Sequence, residues 1–137
     1  LEALSRGATS ATFIEKHVPS SRIVQENMRA LAVDDRATLA VTSAFLWGKR
    51  DLPAEAAKWA TPWLIFCSPP YSFFVDRQPE MRELIERIQQ HAPNGSMLVV
   101  ESDDQFDFTV LGVEEVATAD HWDFRFYAPA VVGIWRG

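Results

Sequence analysis

The sequence predicts an α/β fold, a mostly parallel sheet closed by an antiparallel hairpin at its C-terminal end. Three observations lead there. Short apolar runs alternate with amphipathic segments along most of the chain. The run Trp63-Leu64-Ile65-Phe66-Cys67 is apolar on both faces, which suits the middle of a parallel sheet. Residues 122–127 and 130–135 are two strand-like runs with no room for a helix between them, so they must pair antiparallel.

The elements follow in order. Residues 1–6 read as the last turns of a helix that Gly7 stops. Ala11-Thr12-Phe13-Ile14 is a short buried strand ending at Glu15. Pro19-Ser20-Ser21 opens a helix in which Ile23, Met28, Leu31 and Val33 are apolar. Residues 37–41 form a third apolar run, and Thr42-Ser43-Ala44-Phe45 leads out of it. Residues 51–60 make a short helix or a loop, with Pro53 suited to a first helical turn. Residues 79–91 carry the clearest amphipathic pattern, with Met81, Leu84, Ile85 and Ile88 on one face and Asn94-Gly95 beyond the end. Residues 96–100 are a buried strand followed by Glu101, and the hairpin, broken by Pro129, closes the chain.

The 137 residues suit a single domain. The composition, 47% hydrophobic and 23% charged, fits a packed core under a water-facing surface. No apolar run approaches the roughly 20 residues a membrane span needs, and residues 1–6 lack the pattern of a signal peptide. Cys67 is the one cysteine, so no intrachain disulfide can form, which is compatible with a reducing cytoplasm. At the end of an apolar run it is expected to behave as a small hydrophobe rather than a nucleophile. The net charge of −6 argues against a broad nucleic-acid footprint, which needs lysine and arginine against phosphate. A monomer is expected.

Ser68-Pro69-Pro70-Tyr71 stands where ligands of open α/β sheets bind, beyond the carboxyl end of a strand. The two prolines fix φ and remove two N–H donors, which leaves carbonyl acceptors beside the Ser68 hydroxyl. Such a cluster can hold an –NH2 group by both hydrogens and aim its lone pair at an electrophile. Tyr71 adds a ring that can stack on a flat base. Glu15, at the end of a strand, can accept hydrogen bonds from ribose hydroxyls; alone it reads more readily as a solvated carboxylate, and beside the Ser68–Tyr71 turn the ribose reading comes first. Ser43 and the Ala44 backbone, past the next strand, could touch an adenine ring or simply form a loop. His17, His91 and His121 have no metal-ligand spacing, and Asp103, Asp104 and Asp107 lack the glycine and distal glutamate of a calcium loop, so no metal is expected. No G-x-G sequence occurs, so the usual nucleotide-binding turn is expected upstream of Leu1 if this is a nucleotide site.

Leu1-Glu2-Ala3-Leu4-Ser5-Arg6-Gly7-Ala8, then Ala11-Thr12-Phe13-Ile14-Glu15, resembles the segment after the glycine-rich loop of the RsmD-type methyltransferases. These act on guanine N2 in small-subunit ribosomal RNA. The resemblance continues through Asn27, Ser68-Pro69-Pro70-Tyr71, Asn94-Gly95 and Val100-Glu101-Ser102, over roughly residues 1–102. It implies a Rossmann-like class I methyltransferase sheet whose first strand and glycine-rich loop are missing here. It also implies S-adenosylmethionine as donor and ribosomal RNA or the small ribosomal subunit as partner. Glu15 matches the ribose-binding acid, and Ser68, Pro69, Pro70 and Tyr71 match the turn that holds the target amine and stacks on the base. Ser68 stands where the family usually has Asp or Asn, and Ser43 where it often has an acid. A methyltransferase for DNA adenine or protein glutamine shares the same turn. An inactive methyltransferase-fold binding module and half of a dinucleotide oxidoreductase are further alternatives, the last without its glycine fingerprint.

Overall fold

The computed structural model describes residues 1–108 and 121–137. They divide into two compact units, Leu1–Trp47 and Gly48–Gly137, described in turn.

In the first unit, α1 (Glu2–Ser5) leads to β1 (Ala11–Ile14), α2 (Val18–Ala30) and β2 (Ala37–Ala40), and α3 (Ala44–Arg50) begins. β1 and β2 pair in parallel, with Ala11 opposite Ala37 and Ile14 opposite Ala40. Leu4, Met28, Val33 and Ala37 are the buried centre, with Leu1, Phe13, Val24 and Leu39 packed around them. Ile23 and Leu31, apolar like Met28 and Val33, are exposed. Only the stripe of α2 that carries Val24 and Met28 packs into that centre.

α1 and α2 end in the same hydrogen-bonding pattern. Ala8 N–H donates to the Ala3 carbonyl at 2.9 Å, and Val33 N–H to the Met28 carbonyl at 3.0 Å, each reaching five residues back. Such an ending needs a residue with left-handed φ. Gly7 supplies it at φ 104°, whereas Ala32 adopts φ 51° with a Cβ in place.

The second unit contains α4 (Leu52–Lys58), β3 (Leu64–Cys67), α5 (Phe73–Asp76), α6 (Gln78–His91), β4 (Met97–Asp103), β5 (Trp122–Tyr127) and β6 (Ala130–Arg136). Its sheet has the order β3-β4-β6-β5. β3 is parallel to β4, while β6 is antiparallel to both β4 and β5. The expected antiparallel C-terminal hairpin is present, and the described strands form two sheets, a parallel pair and a mixed sheet in which one of the three pairings is parallel. The tight connection through Ala128-Pro129 turns the chain back, and β6 enters between β4 and β5.

α6 buries Met81, Leu84, Ile85 and Ile88, the stripe its sequence dictates. Arg82–Glu86 and Glu83–Arg87 pair along its outer side at i,i+4 spacing, worth a few tenths of a kcal/mol each. β4 alternates strictly: Leu98, Val100 and Ser102 are buried, while Met97, Val99, Glu101 and Asp103 share the other face. Phe74, Phe106, Phe108, Phe124 and Trp122 form a row of ring contacts with centroids 4.5 to 5.6 Å apart. That row passes over Gly133, where a Cβ would lie 2.9 Å from Phe108.

β3 departs from expectation. Among the described strands it pairs only with β4, and Leu64 and Phe66 are 52% and 65% exposed. Apolarity on both faces suggested a central strand, but among the described strands of its sheet β3 is at the edge.

Ala32→Gly is expected to raise the free energy of unfolding by about 1 kcal/mol, and Gly7→Ala to lower it by about the same, because the left-handed conformation penalises a Cβ. Urea unfolding of the two variants against the parent checks both signs.

Candidate active site

β3 delivers Ser68-Pro69-Pro70-Tyr71 at its carboxyl end, as the alternation of strand and helix requires. The turn runs directly into α5, a single helical turn that the sequence did not reveal. Its carbonyls are not equivalent. The Pro70 carbonyl accepts Phe73 N–H at 2.9 Å, and the Tyr71 carbonyl accepts Phe74 N–H at 3.0 Å. Among the described residues no backbone donor takes the Ser68 or Pro69 carbonyl. The acceptor cluster inferred from two prolines thus reduces to Ser68 and Pro69, with Pro70 committed to starting the helix. Phe74, 1% exposed and in ring contact with Phe106, anchors the turn from below.

Tyr71 is half-buried, and its hydroxyl donates to Glu101 Oε1 at 2.9 Å. That contact follows from register. Cys67 lies opposite Val100, so Ser68 and Glu101 follow one residue past the last pair. The hydrogen bond to Glu101 pushes the Tyr71 phenol above the usual tyrosine range, helped by burial and by the charges of Glu101 and Asp103. Tyr71 is therefore a neutral hydrogen-bonded ring near neutral pH. Sequence reasoning missed Glu101 as a site residue, although the signal was present. Glu101 is a carboxylate closing an apolar run, the criterion that selected Glu15.

Glu15 and the Ser43–Ala44 segment lie in the first unit, just past the paired ends of β1 and β2. Glu15 N–H extends the ladder to the Ala40 carbonyl at 3.1 Å. Its Oε1 accepts His17 N–H at 2.7 Å, at the start of α2, and among the described residues Oε2 has no hydrogen bond. The Ser43 carbonyl accepts Trp47 N–H at 2.9 Å, so Ser43 starts α3 and Ala44 is its first residue. What read as a loop with Phe45 is the entry to a helix. The structure brings Glu15 and Ser43–Ala44 to one end of one sheet, and separately brings Ser68–Tyr71 and Glu101 together in the second unit.

The remaining candidates are quieter. Asp103 Oδ1 accepts Gln105 N–H at 3.2 Å, and Asp104 Oδ1 accepts from the Gln105 side chain at 3.1 Å, the bonding of a local acidic turn. No group of three or more His, Cys, Asp or Glu among the described residues could hold a metal ion. No helix among them is long and apolar enough to cross a membrane.

A family model, described as conserved hypothetical protein 95, matches residues 1–119. The chain belongs to that family. It is a methyltransferase-like family. Among solved structures, a conserved hypothetical protein from Streptococcus pyogenes is 23% identical with a TM-score of 0.69, over 98% of this chain and 75% of that one. A provisionally assigned methylase from Haemophilus influenzae is 16% identical with a TM-score of 0.66, over 98% and 76%. The N-methyltransferase NodS from Bradyrhizobium japonicum is 13% identical with a TM-score of 0.51, over 98% and 89%. At these identities the likenesses establish the fold. No curated protein matches the chain significantly.

Burial pushes the Cys67 thiol up to about 11. Cys67, the one cysteine, is expected to react with thiol-directed disulfide reagents far more slowly than free cysteine at pH 8. Its rate should climb as pH approaches 11. Stopped-flow labelling across that range checks it.

Proposed function

We propose that the chain belongs to an S-adenosylmethionine-dependent methyltransferase that modifies the exocyclic N2 amine of a guanine in small-subunit ribosomal RNA. The observation that carries this reading is the Ser68-Pro69-Pro70-Tyr71 turn. It lies at the carboxyl end of a parallel strand, keeps two carbonyls unengaged among the described residues and carries a tyrosine whose hydroxyl is bound by Glu101. The family supports methyl transfer, and the resemblance around residues 1–15 and Ser68–Tyr71 points to guanine in ribosomal RNA.

When bound, S-adenosylmethionine supplies the methyl group as an electrophile on a sulfonium sulfur. Glu15 fits such a donor, since Oε2 is left for ribose hydroxyls while His17 N–H fixes Oε1. Ser43 and Ala44, at the same end of the β1–β2 pair, would lie against the adenine. The Ser68 and Pro69 oxygens accept the two hydrogens of the target amine, so its lone pair points outward. Tyr71 stacks on the flipped base. Methylation releases one amine proton; Ser68, a neutral hydroxyl, orients it rather than removing it, and it passes to water.

The net charge of −6 favours a second reading, a substrate poorer in phosphate such as a protein glutamine side chain. Tritiated methyl transfer by the protein, offered small ribosomal subunits, DNA and protein in parallel, separates the two. Label in ribosomal RNA is the expected result. The Ser68→Ala, Tyr71→Ala double variant should lose at least about 100-fold in turnover while binding S-adenosylhomocysteine as the parent does in calorimetry. Unchanged turnover would remove this assignment, and no binding by the parent would instead mark an inactive member of the fold.

A further inference from the structure

Plain stacking on a base would be served by phenylalanine; the residue present has a hydroxyl, and that hydroxyl is bound. Tyr71 Oη donates to Glu101 Oε1 at 2.9 Å. The two ends of this contact differ in rigidity. Glu101 lies on β4, which pairs with β3 on one side and with β6 on the other, with Glu101 opposite Val132. Its neighbours Val100 and Ser102 are fully buried. Tyr71 lies in a turn, half-buried, on a side chain that can swing about two bonds. Phe74, buried three residues on, fixes the backbone of the turn but not the direction of the ring.

We propose that Glu101 is a positioning residue for Tyr71, tethering the phenol so that the ring stays fixed beside the Ser68 and Pro69 acceptors as a platform for the substrate base. A carboxylate is suited to this, since hydrogen bonds to ionised acceptors are roughly twice as strong as neutral ones. Asp103, two residues along the same face of β4, adds negative charge that also keeps the phenol protonated and able to donate. The consequence is a defined angle between ring and amine acceptors before substrate arrives, and misplacement by about 1 Å can cost 100-fold in rate. What the platform serves rests on the methyl-transfer reading above; the coupling of Glu101 to Tyr71 does not.

The protein has two tyrosines. In a Tyr127→Phe background, labelling tyrosine with 13C at Cζ lets NMR follow the titration of Tyr71 alone. With Glu101 present the phenol should titrate above free tyrosine, and Glu101→Ala should move the midpoint to lower pH. An unmoved midpoint would overturn the proposal. For methyl transfer, Glu101→Ala should lower kcat/KM about 10-fold, mainly through kcat. Glu101→Gln, which keeps an acceptor of the same size, should recover most of that loss and exclude misfolding as its cause. Glu101→Ala in a Tyr71→Phe background should cost nothing further. An equal loss there would show that Glu101 acts other than through Tyr71 and would also overturn the proposal. If the parent transfers no methyl while the titration shift is intact, the proposed function falls and the Glu101–Tyr71 tether stands.

Discussion

The parallel pairing of β3 with β4 is the constraint on which the second unit depends. Cys67 opposite Val100 ends the shared ladder, and what each chain does next builds the candidate site. β3 breaks off into two prolines, which cannot donate to a ladder, while β4 runs on to Asp103 because β6 pairs with it along its other side. The turn is thus left beside a longer, stiffer strand. A slip of one residue would send Glu101 to the buried face now filled by Leu98, Val100 and Ser102, and the contact with Tyr71 would be lost.

The core under this pairing is arranged to hold that register. α6 contributes Met81, Leu84, Ile85 and Ile88, and the row of rings from Phe74 to Trp122 links the helical turn after Tyr71 to the closing hairpin. Close packing of this kind transmits small displacements. Gly133 is part of the same arrangement, since it leaves room for the rings of Phe108, Phe124 and Trp122. In the first unit one carboxylate oxygen of Glu15 accepts His17 N–H at the start of α2, and among the described residues the other has no hydrogen bond.

Much of this was legible in the order of residues. The stripe of α6, the strand at residues 11–14, the stop at Gly7 and the hairpin around Pro129 are local patterns, each enforced within a few residues by periodicity or backbone chemistry. The turn at residues 68–71 was legible for the same reason, since two prolines and a preceding apolar run need no distant partner to be read. Less legible were the features that depend on which neighbour a strand finds. The apolar run at 63–67 suggested a central strand, yet β3 is an edge among the described strands. Ile23 and Leu31 have the right residue type for a core face and are exposed.

By itself, the sequence determined the α/β alternation, a methyltransferase-like family and the place of the Ser68–Tyr71 turn, because each is carried by contiguous residues with short-range preferences. Tertiary structure decided which groups of that turn remain available. Helix α5 engages the Pro70 carbonyl and leaves those of Ser68 and Pro69. The register of β3 on β4 puts Glu101 within a hydrogen bond of Tyr71 across thirty residues of chain. Sequence spacing carries no trace of that pairing, because strand register is set by which side chains a whole sheet must bury.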